Sequence, residues 1–173
     1  NQFKLHPSLR KTLKKFQNSP ECSITVDKAF SRVIRTCATQ SRKGQNGTWI
    51  VPSMVEAYEQ LHALGVAHSV ETWVDDKLVG GLYFVSLGKA VFGESMFAHV
   101  TDASKIALAA LVCIAKAQGV PWIDCQQNTR HLASLGAAEI PRKAFVADIQ
   151  ALSSEPDPLW VFESVYWSQL LSR

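Results

Sequence analysis

The sequence predicts one domain of the α+β class, in which an antiparallel meander is followed by a helix, a strand and a helix. Three strand candidates lie close together, over residues 68–74, 78–86 and 90–97, and three residues separate each from the next. Connections this short join antiparallel neighbours. A long apolar helix is predicted from Asp102 to Gly119, and a strand over 120–126 comes after it. Antiparallel hairpins combined with a helical crossover are typical of α+β domains.

Two helices and a short strand are predicted near the N-terminus. Pro7 opens the first helix, because proline suits the first helical turn. A strand follows over 22–26, and Asp27 is predicted to cap the second helix with its carboxylate. The apolar positions of the two helices recur at helical spacing: they are Leu9, Leu13 and Phe16 in the first, and Phe30, Val33, Ile34 and Cys37 in the second.

A third helix is predicted over 54–64, where Ser53 and Glu56 have the spacing of a capping box and Gly65 follows as a stop signal. After the 120–126 strand, one short helix runs from Thr129 to Gly136 and another from Pro141 to 152. Residues 153–158 are rich in Ser and Pro, and residues 160–171 are rich in aromatics. We therefore assign 1–152 to the domain and 153–173 to a linker and a C-terminal tail.

Size and composition are those of an ordinary globular domain. The 173 residues are 47% hydrophobic and 19% charged. The longest apolar run, 106–115, is too short to cross a bilayer, and no signal peptide is recognisable. Four cysteines without a C-x-x-C pair favour reduced thiols, hence a cytoplasmic protein without structural zinc. The chain begins at Asn1 and reads like the middle of a protein, so we expect a missing upstream part.

Charge is distributed unevenly along the chain. Residues 1–43 contain ten Lys or Arg against two acids, whereas the remainder has a net charge of −5. A basic front end on a mildly acidic body indicates that a polyanion binds one side, with nucleic acid as the leading candidate. The cations predicted to contact phosphates are on the first helix and in the glycine-flanked loop: Lys11, Lys14, Lys15, Arg42 and Lys43.

Polar, proton-handling side chains interrupt two apolar strands. Because residues two apart share a face of a strand, we expect Asp124 and Gln126 to project together, and Glu94 to lie with Phe92 and Met96. A carboxylate among apolar neighbours must be solvated, paired or used in function. Spacing alone favours the ordinary structural interpretation, in which Glu94 is a solvent-facing strand residue and Asp124 is a turn cap.

The order of elements matches the core of GNAT-like acyltransferases, and nine short blocks resemble one family more specifically. They include Gly-Glu-Ser-Met-Phe at 93–97 and Ile-Asp-Cys-Gln at 123–126; the others are 47–50, 55–58, 68–69, 78–81, 103–105, 133–137 and 139–142. These blocks occur in the order seen in the leucyl/phenylalanyl-tRNA–protein transferases, between residue 6 and residue 160. The family's smaller N-terminal domain has no counterpart here.

The resemblance implies an activity and its partners. The family moves Leu or Phe, and more weakly Met, from aminoacyl-tRNA to proteins that begin with Arg or Lys, which marks them for degradation in the N-degron pathway. It implies a cytoplasmic monomer that uses no cofactor and no membrane. An aminoacyl ester is already activated, so aminolysis needs no ATP or metal; accordingly, the sequence contains no P-loop.

The resemblance also implies site residues. Trp49 matches a tryptophan that stacks beside the aminoacyl-adenosine, and Leu82, Met96 and Leu108 match positions that line the pocket for the aminoacyl side chain. Glu94 matches the acid that meets the acceptor's basic N-terminal residue. Asp124 and Gln126 match the pair that positions, or deprotonates, the attacking amine. Taken without the resemblance, the four apolar residues are ordinary core positions.

Three other functions stay open at this stage. An acetyl-CoA-dependent acetyltransferase shares the topology, but it normally has a glycine-rich phosphate turn where this chain has Asp102 and no glycine over 100–105. Cys125 with His131 is a possible thiol pair, although alternation turns Cys125 away from Asp124 and Gln126. A tRNA-binding module without catalysis is the third alternative.

Overall fold

The computed structural model describes residues 3–40 and 50–172, and it confirms the predicted order of elements. The helices are α1 Pro7–Gln17, α2 Phe30–Thr39, α3 Pro52–Ala63, α4 Ala103–Ala117, α5 Arg130–Ser134, α6 Arg142–Leu152 and α7 Ser168–Leu171, with a 3-10 turn at Ser164–Trp167 before the last. The strands are β1 Cys22–Val26, β2 Ala67–Val74, β3 Lys77–Leu87, β4 Ala90–Ala98 and β5 Ile123–Asp124.

One five-stranded sheet in the order β1-β2-β3-β4-β5 organises the domain. The first four strands are antiparallel neighbours, which confirms the meander. β5 returns after the α4 crossover and pairs parallel to β4 at two positions, Val91 with Ile123 and Phe92 with Asp124. The predicted α+β class with an antiparallel meander and a following helix-strand-helix is therefore confirmed.

Helices cover both faces of the sheet, and the sheet separates the hydrophobic core into two clusters. On one face, the apolar stripe of α1 and most of α4 pack against Val70, Leu82 and Phe84. On the other, α2 and α3 pack around Tyr83 and Phe97. The predicted apolar faces of α1 and α2 are all buried. Because each sheet face has its own helical layer, the strand ends and the two sheet edges are the parts of the sheet that the described helices cover least.

The aromatic C-terminal segment packs on the α4 side of the sheet. Trp160, Trp167 and Leu170 are buried in the same cluster as α1 and α4. The Trp160 ring meets Phe84 edge to face at 4.7 Å between centroids. These contacts make part of residues 153–173, which we assigned to a linker and tail, a component of the main core.

Two predicted helix caps are wrong. The Asp27 carboxylate does not cap α2; it accepts from the Ser69 backbone N–H and meets the His68 ring at 2.7 Å. α3 begins at Pro52 after the N-cap Val51, so Ser53 lies inside the helix and makes no cap. Proline at the first helical position needs no N–H partner, which explains why α3 starts before the predicted box.

A close approach fixes α4 against the sheet. A Cβ atom on Gly80 of β3 would stand 2.5 Å from the Ala103 Cβ, so only glycine lets the first residue of α4 lie there. The Thr72 hydroxyl donates to the Ala103 carbonyl at 3.0 Å from the adjacent strand. Within the described ranges, none of the helices has the length and apolar character needed to cross a membrane.

Candidate functional site

The Asp124–Gln126 segment forms a turn at the end of β5, and the predicted strand over 120–126 is mostly wrong. Only Ile123 and Asp124 pair with β4, and Gln126 has a left-handed backbone with φ of 59°. The Asp124 carboxylate accepts from the Gln126 backbone N–H at 2.8 Å, which closes an aspartate turn. The two residues are therefore held together, but by this turn and not by strand alternation.

The Gln126 side chain is oriented by β4. Its Nε2 donates to the Gly93 carbonyl at 3.1 Å. This contact occupies the donor end of the amide, so the Oε1 end is the one that remains to accept a hydrogen bond. An acceptor held this way at the edge of a cleft suits an incoming amine, which carries N–H donors.

A cleft of about 830 Å³ lies beside this turn. Asp124, Gln126 and Leu108 all line it, so the structure brings these three predicted residues together. Its walls are mostly apolar and include residues that the sequence analysis did not single out: Phe3, Val112, Val120, Trp122, Ile123, Leu132, Leu135 and Phe145. A concave apolar surface with a few converging polar groups is the usual form of a small-molecule site.

Trp122 and Phe145 form an aromatic pair in the cleft wall that the sequence analysis missed. Their ring centroids are 5.6 Å apart, and both side chains are partly buried. Phe145 belongs to α6 and lies 23 residues beyond Trp122 in the sequence. A tryptophan directly before the Ile-Asp-Cys-Gln block was the one local signal available.

Leu82 and Met96 lie behind the cleft. They are direct cross-strand partners on β3 and β4, and both pack into the cluster around α4 that also includes Leu108. Leu82 is only 4% exposed. The three predicted pocket residues thus belong to one apolar cluster, and of these three Leu108 lines the cleft.

Glu94 faces the opposite side of the sheet from Met96, which corrects the predicted shared face. The register slips on β4, where Tyr83 pairs with Ser95 and Phe84 with Gly93, so Glu94 is the extra residue of a β-bulge. Its carboxylate accepts a hydrogen bond from the Tyr58 hydroxyl of α3. Burial, followed by this contact, raises the pKa of Tyr58. Tyr58 itself was missed, because nothing in the sequence connects α3 to β4.

Two alternative chemistries lack support in the geometry. Burial, reinforced by the Asp124 charge, raises the pKa of the Cys125 thiol, and its Sγ donates to the Ile123 carbonyl at 3.7 Å. Among the described residues no hydrogen bond joins it to His131. At the start of α4, the Asp102 carboxylate lies 2.7 Å from the Lys105 Nζ, which places an acid where a pyrophosphate would bind.

The predicted phosphate contacts are only partly described. Lys11, Lys14 and Lys15 are exposed on α1, opposite its buried stripe. Arg42, Lys43 and Trp49 lie outside the described residues. Over 3–40 and 50–172, no three His, Cys, Asp or Glu side chains are grouped so as to hold a metal ion.

Comparison with known proteins identifies the family. A family model described as leucyl/phenylalanyl-tRNA protein transferase matches residues 1–150. The chain belongs to this family of aminoacyltransferases. The chain is 63% identical over 171 residues to the leucyl/phenylalanyl-tRNA–protein transferase of Polaromonas sp., and 56% identical over 170 residues to that of Albidiferax ferrireducens. These matches cover 99% and 98% of the chain but 67% of each relative, so the chain spans about two thirds of their length.

A solved structure also resembles the chain, at lower similarity. It is the ribosomal-protein-alanine N-acetyltransferase of Brucella melitensis, with a TM-score of 0.44 and 15% identity. The match covers 82% of this chain and 97% of that protein.

Proposed function

We propose that this chain transfers Leu or Phe, and Met more weakly, from aminoacyl-tRNA to proteins that begin with Arg or Lys. The observation that carries the proposal is the cleft that Asp124, Gln126 and Leu108 share at the end of β5, in a chain of the transferase family. The product is a protein with one additional N-terminal residue, and we propose that it enters the N-degron pathway in the cytoplasm.

The reaction is aminolysis of an ester. The acceptor's α-amine nitrogen attacks the aminoacyl carbonyl carbon, a C–N bond forms, and the bond from that carbon to the terminal ribose oxygen breaks. The amine loses a proton and the departing ribose oxygen gains one. Because a free α-amine has a pKa of about 8, a substantial minority is already neutral at physiological pH, and the main requirement is positioning.

Gln126 is the proposed positioning group for the amine. Its Oε1 accepts an amine N–H while its Nε2 stays on the Gly93 carbonyl. Asp124 fixes the backbone of Gln126 through the turn, so it acts on the amine through Gln126. This arrangement supports a clamp, since the Asp124 contact reaches the backbone N–H and not the side-chain amide.

The apolar wall supports selection of the transferred residue. Leu108, Ile123 and Val112 line the cleft, with Leu82 and Met96 packed behind. Burial contributes about 0.8 kcal/mol per methylene, so a pocket for Leu and Phe discriminates against neighbouring side chains by only a few-fold for each group. Met, which is apolar and similar in volume, is the expected secondary substrate.

The acceptor's basic residue is assigned to Glu94, and the tRNA phosphates to the cations of the N-terminal part. Glu94 is set by its bulge and by the Tyr58 hydroxyl. Lys11, Lys14 and Lys15, with Arg42 and Lys43, contribute charge contacts to the RNA backbone, which position the donor without reading its sequence. Trp49 stacks on the terminal adenosine of the donor. The proposed enzyme is a monomer and uses no cofactor.

The test is single-turnover transfer of labelled Phe from charged tRNA to a peptide that begins with Arg. We expect Gln126→Ala to lower the single-turnover rate constant about 10-fold, as for a lost hydrogen bond of about 1.4 kcal/mol, with little change in affinity for the aminoacyl ester. Gln126→Gly is the matched control, because it removes the same amide and relieves the left-handed backbone. Loss of activity in the Ala variant alone would show that the Gln126 side chain serves to hold the left-handed turn, because alanine has the same backbone penalty as glutamine without the Gly93 contact.

Cys125→Ala separates this mechanism from a covalent one. The thiol is partly buried, so we expect a cost of about 1 kcal/mol in stability and unchanged transfer. A folded Cys125→Ala protein without activity, beside an active Gln126→Ala protein, would overturn the non-covalent mechanism. If the unaltered chain binds charged tRNA and transfers nothing, it is a tRNA-binding module.

A further inference from the structure

A second cationic surface lies on the α2 side of the sheet, remote from the cleft. The Lys28 Nζ lies 5.1 Å and the Arg32 guanidinium carbon 5.4 Å from the centroid of the Trp73 ring. Both cations are exposed, whereas Trp73 is only 7% exposed. We call this set the Trp73 platform, and it was not among the predicted sites.

Hydrogen bonds beneath the Trp73 ring hold the ring in place. The Trp73 Nε1 donates to the Thr25 hydroxyl at 2.7 Å, and that hydroxyl in turn donates to the buried Glu71 carboxylate. Glu71 also accepts from the Ala29 backbone N–H at the start of α2. The ring and the beginning of α2 are thus tied to the same carboxylate, which fixes the ring relative to the backbone that carries the two cations.

The two cations have no carboxylate partner in the described part of the chain. The next basic residue of α2 is different: Arg35 makes a bidentate pair with Glu59, with an N–O distance of 2.9 Å. Cation–π contacts at exposed sites contribute about 0.5–1 kcal/mol each and leave the full positive charge facing solvent. Two like charges over one ring favour an anion that contacts both.

The Trp73 platform and α1 flank the same edge of the sheet. Trp73 pairs with Ser23 of β1, the edge strand. α1, with Lys11, Lys14 and Lys15, packs on the other face of the sheet, since its buried stripe joins the α4-side cluster. A polyanion that passes along the β1 edge therefore meets cations on both sides of it.

The geometry points to a second contact surface for the tRNA backbone, in which Lys28 and Arg32 bind phosphates across the β1 edge from α1. This inference rests on the proposed function. The cleft is at β5 on the α4 side, whereas Trp73 is on β2 on the α2 side. Strands are spaced by about 4.8 Å, so three spacings separate the two sites by roughly 14 Å across the sheet, on opposite faces of it. The platform therefore contacts the body of the tRNA, beyond the reach of the aminoacyl-adenosine end.

The test measures tRNA affinity as a function of salt. Each phosphate contact contributes about 0.7–0.9 to the slope of log K against log salt. Lys28→Gln with Arg32→Gln should lower the slope by about 1.4–1.8, which corresponds to a roughly 25- to 60-fold loss at 0.1 M salt that disappears near 1 M. Both side chains are exposed, so we expect the double variant to fold; its thermal unfolding checks this.

Arg32→Gln against Arg35→Gln is the matched comparison. Each removes one positive charge from α2, but Arg35 is already paired with Glu59. We expect a lower slope for Arg32→Gln and a nearly unchanged slope for Arg35→Gln. Equal slopes for the two variants, or a double variant with the unaltered salt dependence, would overturn the inference. Polyglutamate that displaces tRNA at equal charge concentration would also overturn it, by assigning the platform to acidic peptides.

A short donor distinguishes this inference from the proposed function. Phenylalanyl-adenosine ends far from the platform, so the double variant should use it at the unaltered rate while losing transfer from tRNA at low donor concentration. If the unaltered chain transfers from neither donor, the proposed function fails, and the binding slopes still decide the contact surface. If the double variant loses the short donor as well, the platform acts on the cleft and the inference fails.

Discussion

Replacement of Gly88 by alanine should destabilise the chain far more than the same replacement at Gly65. Gly88 lies in the turn between β3 and β4 with φ of +53°, and Gly65 follows α3 with φ of +73°. Both backbones are left-handed, which costs an L-residue about 1–2 kcal/mol. The two sites therefore share one conformational penalty and differ only in their surroundings.

The surroundings set the difference in magnitude. A Cβ on Gly88 would stand 2.5 Å from the carbonyl oxygens of Leu152 and Glu155, at the C-terminal end of α6. A Cβ on Gly65 has nothing within 4 Å. At Gly65 the backbone penalty is partly offset by about 0.4–1 kcal/mol of lost freedom in the unfolded chain, which leaves roughly 1 kcal/mol. At Gly88 the overlap adds about 1–3 kcal/mol, as for other overpacked sites, so the total is roughly 2–4 kcal/mol.

Thermal and urea unfolding of the two variants measure this difference. In a chain of this size 1 kcal/mol corresponds to about 2–4 °C in Tm, so we expect a fall of about 3 °C for Gly65→Ala and about 5–15 °C for Gly88→Ala. The turn also holds α6 through the Lys89 N–H, which donates to the Leu152 carbonyl at 2.9 Å. Since α6 carries Phe145 in the cleft wall, Gly88→Ala should raise KM for the aminoacyl donor while Gly65→Ala leaves it unchanged. Equal losses of stability would show that the end of α6 moves away from the added Cβ without cost, which would refute the predicted overlap.

Two further predictions concern carboxylates away from the cleft wall. Glu94→Ala should raise KM for a peptide that begins with Arg by roughly 10- to 150-fold, as for a lost contact between charged groups. Tyr58→Phe should raise the same KM by less, because it removes only the hydroxyl that orients Glu94. Unchanged acceptor kinetics in both variants would exclude this role for Glu94. Burial raises the pKa of Glu71, so the folded chain binds this proton more tightly than the unfolded chain, and the free energy of unfolding falls as pH rises above the unfolded pKa of about 4.3. Glu71→Gln keeps the shape of the side chain but removes its titration. Measured by urea unfolding, the free energy of unfolding of the variant minus that of the unaltered chain should increase from pH 4 to pH 7. A difference that does not vary with pH would contradict the raised pKa of Glu71.

Local sequence patterns, namely the spacing of apolar residues and the length of the connections, were sufficient to predict most of the fold. The i, i+4, i+7 stripe of Leu9, Leu13 and Phe16 is buried as predicted, because a helix can satisfy such a stripe only against the core. The meander was predictable because three-residue connections leave an antiparallel neighbour as the one accessible partner. Caps were less predictable: Asp27 had a stronger competing partner in His68, which is 41 residues away in sequence.

The candidate site was harder to predict, because it depends on departures from regular strand geometry. Alternation correctly associates Asp124 with Gln126 but for the wrong reason, since the backbone turns over at Gln126. The same rule fails for Glu94 and Met96, where one extra residue puts the carboxylate on the α3 side, the side that Phe92 shares through its partner Val85. A bulge leaves no mark in a pattern of apolar and polar residues, so neither its position nor the Tyr58 contact could be derived from spacing.

These two departures meet at neighbouring residues of β4, since Gln126 contacts Gly93 and the bulge is at Glu94. β5 stops pairing with β4 after Asp124, opposite Phe92, and this leaves the next β4 carbonyl, that of Gly93, without a strand partner. The Gln126 side chain supplies the missing donor at 3.1 Å, and it can reach because its own backbone has turned left-handed. Had β5 continued in register, its backbone would have taken this carbonyl, and the Gln126 amide would have had no fixed orientation. The end of regular pairing is thus the reason that the Gln126 amide is held beside a mostly apolar cleft, a local break in structural rules of the kind that functional sites contain.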